Sequence, residues 1–161
     1  MAQVDFFLKI DGIDGESTDD KHKGEIDVES FSWGVSNGGT FATGGGGGAG
    51  KAALEDIHFT SFVSKASPKL MVACAQGKHI KSAVLVVRKA GTEQQEAYTV
   101  KLEDVLISSY QSGAHESSPR PTDQFSLNYA KIEFTYKEQK ADGSLGGAVT
   151  TKWDLKANKG G

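Results

Sequence analysis

The stretch Glu25-Ile26-Asp27-Val28-Glu29-Ser30-Phe31-Ser32-Trp33-Gly34-Val35 decides the fold class. Successive side chains of a strand point to opposite faces, so Ile26 and Val28 share one face. Phe31, Trp33 and Val35 have the other parity. The alternation therefore slips by one near Glu29 or Ser30, as a β-bulge or bend requires, and the strand changes which face it buries. A second slip falls at Ala130-Lys131, between Phe125, Leu127, Tyr129 and Ile132, Phe134, Tyr136. Two bent strands in one chain predict sheets that share strands at their corners, a two-sheet β-barrel or sandwich.

The flanking segments fit this reading. Val4, Phe6, Leu8 and Ile10 alternate as a half-buried strand that ends in Asp11-Gly12-Ile13-Asp14-Gly15, and the polar run from Glu16 to Gly24 reads as a loop. From Ile80 to Lys89, with Val84, Leu85, Val86 and Val87 apolar on both faces, a central strand is expected. Tyr98, Val100, Leu102 and Leu106 alternate on a strand running to Tyr110, and Asp142-Gly143 turns the chain into a last strand from Val149 to Leu155. One segment differs. Ser67 as N-cap, Pro68 at the first helical position, the spacing of Leu70, Met71 and Cys74, and a terminating Gly77 predict a short flanking α-helix from Pro68 to Gln76. Ala52 to Val63 is ambiguous, because Leu54, Ile57 and Phe62 fit a helix face and Ile57, Phe59 and Ser61 a strand face. Lys156 to Gly161 is expected to fray.

At 161 residues the chain is a single domain, residues 1–161, and its 20 glycines imply thin layers and long loops. Eighteen basic and 21 acidic residues give a net charge of −3. With no concentrated positive charge, nucleic acid and anionic membranes are disfavoured as partners. Cys74 alone cannot form an internal disulfide. The N-terminus lacks a basic leader, and no stretch approaches the roughly 18 apolar residues of a membrane span. Synthesis in the cytoplasm is expected, with any export by a route that reads no leader.

Little in the sequence resembles catalytic machinery. Gly45 to Lys51 satisfies seven positions of a P-loop, but Ala52 replaces the Ser or Thr whose hydroxyl would hold magnesium. A glycine arm that lets another backbone approach closely explains the run better. His22, His58, His79 and His115 have no partners at metal-ligand spacing, and each reads as a surface or packed histidine. Cys74, on the apolar face of the expected helix, reads as a buried thiol. Adjacent carboxylates such as Glu55-Asp56 and Glu103-Asp104 would face opposite ways on a strand. No catalytic residue, cofactor or metal is expected.

Ten strings occur in order: Gly15-Glu16-Ser17, Glu25-Ile26-Asp27-Val28, Ser32-Trp33-Gly34, the glycine run through Gly50-Lys51, Ser67-Pro68-Lys69-Leu70-Met71, Gly77-Lys78-His79, Arg88-Lys89-Ala90-Gly91, Ser108-Ser109, Leu127-Asn128-Tyr129-Ala130 and Gln139-Lys140-Ala141-Asp142-Gly143. Together they make the chain resemble the Hcp (haemolysin-coregulated protein) family, the tube subunit of bacterial type VI secretion systems. The resemblance implies a mainly β fold with one flanking helix, a strand over Ala52 to Val63, and hexameric rings that stack into a tube. It further implies a contractile sheath and a spike as partners, small effector proteins carried in the ring lumen, and secretion of the subunit itself. The extended residues 34–51 would contact a neighbouring subunit or ring. Within them Asn37, Gly38, Gly39, Thr40, Phe41, Gly44, Gly45, Gly46, Gly47, Gly48, Gly50 and Lys51 are the candidate interface residues. The loop from Tyr110 to Pro121 departs from the family's Gly- and Ser-rich pattern, and Ser112, Gly113, Ala114 and His115 are candidates to face lumen and cargo. The competing readings are a nucleotide-hydrolysing enzyme built on Gly45 to Lys51 and a monomeric ligand-binding barrel.

Overall fold

Residues 4–38, 52–89 and 95–161 are described by the computed structural model of the chain. In chain order they form β1 (Val4–Ile10), β2 (Ile26–Val28), β3 (Ser30–Ser32), β4 (Val35–Asn37), β5 (Ala52–Leu54), β6 (Ile57–Phe62), α1 (Ala66–Gln76), β7 (Ile80–Lys89), β8 (Glu96–Gly113), β9 (Thr122–Gln139), β10 (Leu145–Asp154) and β11 (Lys159–Gly160). The fold is mainly β with one short helix and two sheets, as the two slips predict. Ala52 to Val63 resolves as strands β5 and β6.

The bend at Glu29 organises the larger sheet. β2 pairs with β1, setting Phe6 opposite Val28 and Leu8 opposite Ile26. One residue later β3 pairs with β6, with Phe31 opposite Phe59. The Glu29 amide donates to the Thr60 carbonyl at 2.7 Å and holds the corner. The sheet thus runs β2-β1-β7-β8-β9 and continues from β9 through β6 to β3. It curls around one core without closing as a hydrogen-bonded barrel, since β2 and β3 are joined by the chain and not by a ladder.

Leu8, Ile57, Val100 and Leu127 are fully buried at the centre of this core, and Phe59 stacks on Phe125 at 5.2 Å. Each such aliphatic side chain contributes roughly 1.5–3 kcal/mol on burial. β7 lies between β1 and β8, as its two apolar faces require. β8 contains a bend that the apolar pattern does not show. The inward set passes from Val100 and Leu102 to Val105 and Ile107, because Asp104 takes a left-handed conformation with φ 54°. Leu106, expected on the core face, is consequently half-buried. Asp104 lies between the Glu103–Lys131 and Val105–Tyr129 pairs, opposite Ala130, so both long strands bend at one level.

α1 starts two residues earlier than expected, with Lys65 as N-cap making no side-chain cap bond of its own and the Ser64 hydroxyl accepting from the Ala66 amide at 3.2 Å. Ser67 is not the cap because its hydroxyl donates instead to the buried carboxylate of Asp123, whose other oxygen accepts from the Tyr110 hydroxyl at 2.7 Å. Pro68 is then the third helical residue, where its missing N–H is still one the helix leaves unpaired. Ala66, Leu70 and Ala73 face the core, while Met71 is 51% exposed and Cys74 is half-buried. Gly77, with φ 60°, ends the helix: its amide bonds to Cys74 and that of Lys78 to Ala73. At the C-terminus, where fraying is expected, Lys159 and Gly160 pair with Asp154 and Trp153.

Candidate functional site

β4 and β5 form a two-stranded ladder, with Val35 opposite Leu54, Ser36 opposite Ala53 and Asn37 opposite Ala52. The Glu55 amide donates to the Gly34 carbonyl at 2.9 Å and prolongs it. Its direction is fixed by Trp33, whose indole N–H donates to the Tyr98 hydroxyl at 2.8 Å and whose ring meets Phe134 edge-on at 5.4 Å. Beside the ladder, Trp33, Val35, Leu54, Phe134 and Trp153 line an open apolar groove of about 650 Å³. Val35 remains 61% exposed there. Of the candidate interface residues, Asn37 ends β4 and Gly38 follows it. Gly39, Thr40, Phe41, Gly44, Gly45, Gly46, Gly47, Gly48, Gly50 and Lys51 lie outside the described residues.

The second candidate group is at the far end of β8. Ser112 and Gly113 close that strand, and Ala114 and His115 begin the exposed connection to β9. With Gln111, Arg120 and Gln124 they line a shallow polar cleft of about 440 Å³. The Arg120 guanidinium is held over the Phe62 ring at 4.0 Å.

A profile of the family described as "Type VI secretion system effector, Hcp" matches residues 7–136. The chain belongs to the Hcp family. It is 45% identical to the protein hcp1 of Pseudomonas aeruginosa over 157 residues, 96% of this chain and 97% of that one. Among solved structures it is similar to a type six secretion system protein, with a TM-score of 0.92 at 34% identity, covering 98% of this chain and 99% of the other. Hcp1 from Salmonella typhimurium superposes with a TM-score of 0.81 at 33% identity over 99% of each chain.

A P-loop requires a helix directly after its Lys-Ser/Thr. After Lys51 this chain instead forms strand β5. Among the described residues there is no group of three or more His, Cys, Asp or Glu placed to hold a metal, and no helix long and apolar enough to cross a membrane. His58 and His115 are exposed, and His79 pairs with Asp104 at 2.9 Å on the surface, holding that carboxyl below its usual range. Glu55 and Asp56 lie between β5 and β6, outside either strand, and Asp56 accepts from Ser108 at 2.7 Å and from Asn128 at 2.8 Å. The Tyr129 hydroxyl donates to the Glu55 carbonyl, and burial, with Asp56 and Glu55 nearby, pushes its pKa up to about 12.

The sequence reading missed a charged cluster on the outer face of β1 and β7. Arg88, with only 3% of its side chain exposed, donates to both oxygens of Asp19 at 2.9 and 2.6 Å and to Asp5 at 3.2 Å. These bonds hold the Asp19 carboxyl down to about 2. Two signals point to the cluster. Phe7 is apolar off the phase of β1, and Arg88 continues the Val84-Val86 face of an otherwise apolar strand.

Proposed function

We propose that this chain is a structural, non-catalytic subunit of the type VI secretion inner tube. Hexameric rings stack into a tube, the contractile sheath propels the tube with its spike into a target cell, and the ring lumen carries small effector proteins. The subunit is itself secreted in the process. The observation that carries this reading is the likeness to hcp1 along 96% of the chain. The ladder of β4 and β5 supports it, since it flanks the glycine-rich residues and stands beside the packed side chains of Trp33, Tyr98 and Phe134. An open groove and a solvent-facing Val35 leave apolar area beside the ladder for a neighbouring copy. In a ring each subunit offers two different patches, and axial repetition of ring faces gives an open filament.

The test is analytical ultracentrifugation with electron microscopy of the purified protein. A particle six times the 17.1 kDa chain mass, annular and of one diameter, is expected at micromolar concentration. A monomer under all conditions overturns the proposal. Substituting Gly45, Gly46 and Gly47 with valine tests residues 37–51 as the contact: rings or stacks are expected to weaken while the monomer stays folded. Unaltered assembly removes those residues from the interface.

A further inference from the structure

The connection between β1 and β2, residues 11–25, is polar in sequence, yet its inner side is not solvated. Ser17 and His22 are buried at 5% and 6% exposure. His22 covers Phe7 and Asp19 holds Arg88, on the face of β1 and β7 that points away from the core. The His22 imidazole lies flat on the Phe7 ring, with centroids 4.3 Å apart and planes within 8°. Its Nδ1 meets Glu25 Oε2 at 2.9 Å, at the end of the connection. Its Nε2 meets Glu96 Oε1 at 2.6 Å, on the first residue of β8.

We infer that residues 11–25 form a pH-operated strap, closed over the outer face of the sheet while His22 carries two ring protons and released when it loses one. An ionised carboxylate only accepts hydrogen bonds, and a neutral imidazole donates only one. Both short contacts are satisfied together only by the imidazolium. Once a proton is lost, one ring nitrogen turns its lone pair toward a carboxylate at hydrogen-bond distance. That contact is then repulsive, and the stacked ring has nothing else to hold it against β8.

The surrounding charges keep the switch in this one group. From the strap come Asp19 and Glu25, with Lys21 and Lys23 on either side of His22; β1 contributes Asp5, β2 Asp27, β7 Arg88 and β8 Glu96. Burial raises Asp27 above its ordinary value, with the charges of Asp5 and Asp19 adding to it, and the bonds to Asp19 raise Arg88 further from neutrality. For His22, burial opposes the charge, but the bonds to Glu96 and Glu25 outweigh it and raise the group above 6.5. A raised cationic group stabilises the closed form fully below its unfolded value, and that contribution is lost as pH rises through the folded value. The strap is therefore tight in mild acid and loosens toward alkaline pH. Asp19 and Arg88 keep their bonds throughout and anchor the strap at its middle, so the opening is confined to the His22 to Glu25 half and the fold persists. Release uncovers the side of the Phe7 ring on which His22 lies, and it frees the start of β8.

Hydrogen exchange of the full-length protein in its native assembly tests this, with intrinsic rates corrected for pH between 6 and 9, alongside an NMR titration of the His22 ring. The reporters are amides bonded within the strap: Ser17 to Glu25, Gly24 to Ser17, Gly15 to Gly24 and Glu25 to His22. Above the His22 transition their protection is expected to fall by up to about tenfold per pH unit while that of β7 holds. Glu96→Gln, at a side chain 38% exposed and so least disruptive to folding, is expected to move the imidazole transition to lower pH and to keep the strap protected above it, because the carboxamide N–H can donate to the neutral ring nitrogen. His22→Gln is expected to show weak, pH-independent protection. Constant strap protection in the wild type across the range, an identical fall in His22→Gln, or an unmoved transition in Glu96→Gln would each overturn the inference.

Discussion

Replacing Asp19 with Asn isolates the bond that anchors the strap to β7. The Asp19 carboxyl sits at about 2 in the folded protein against an ordinary 3.8. At about 1.4 kcal/mol per unit, a displacement of that size corresponds to roughly 2.5 kcal/mol of preferential binding of the charged form. Asp19 keeps 19% of its side-chain surface in water, and Asp5 still reaches Arg88 at 3.2 Å, which lowers the expected loss to about 2 kcal/mol. Denaturant unfolding followed by Trp33 and Trp153 fluorescence at fixed protein concentration reads the difference. Because the folded value is depressed, the stabilisation is present above pH 3.8 and is lost as pH falls through about 2. Wild type and Asp19→Asn are thus expected to differ by about 2 kcal/mol at pH 7 and to converge near pH 2. In an Arg88→Met background the same substitution is expected to cost less than about 0.5 kcal/mol. A difference at pH 7 below about 0.5 kcal/mol, or one that persists undiminished at pH 2, refutes the reasoning.

Two further outcomes follow from close packing. Gly15 lies against β2, and a Cβ there would come within 2.5 Å of the Glu25 carbonyl oxygen and 2.7 Å of the Ile26 Cα. Gly15→Ala is expected to lower stability by about 1–3 kcal/mol in thermal unfolding and to raise strap exchange at every pH. Asp123, 1% exposed, is the shared acceptor of Ser67 and Tyr110. Asp123→Ala strands both hydroxyls and is expected to cost about 1–3 kcal/mol in denaturant unfolding, with faster exchange in α1 than in β9.

What the sequence disclosed follows from which interactions are local. The bend at Glu29 was legible because a slip in a two-residue period moves every later apolar side chain to the other face. β7 was legible with its bounds because a strand covered on both faces needs apolar residues at consecutive positions. The bend at Asp104 left no such trace. Glu103 and Asp104 are both polar, and Leu106 continues the parity of Leu102 while Val105 and Ile107 carry the core. Only the positive φ of Asp104, opposite the visible slip at Ala130, marks the place. Ser67-Pro68 reads locally as a cap and first turn. The partner that takes the Ser67 hydroxyl, Asp123, lies 56 residues away, so tertiary pairing displaced the helix start.

The candidate contact surface divides along the same line. Its base belongs to the fold: Trp33 is tied to Tyr98 and Phe134, so the direction in which β4 and β5 leave the sheet is set by side chains that pack within one chain. Beyond Gly38 the sequence supplies Thr40, Phe41, Thr43 and Lys51 as the only side chains larger than alanine before β5. Such a segment has little apolar area to bury against its own chain, and burial scales with that area. What glycine does supply is close approach of one backbone to another. A packed aromatic base, an open apolar groove beside it and a glycine-rich sequence with little side chain to bury are what the proposed contact with another copy would use. The ten short strings disclosed the family because they recur along one chain, whereas contacts between copies would leave no local period or spacing to read.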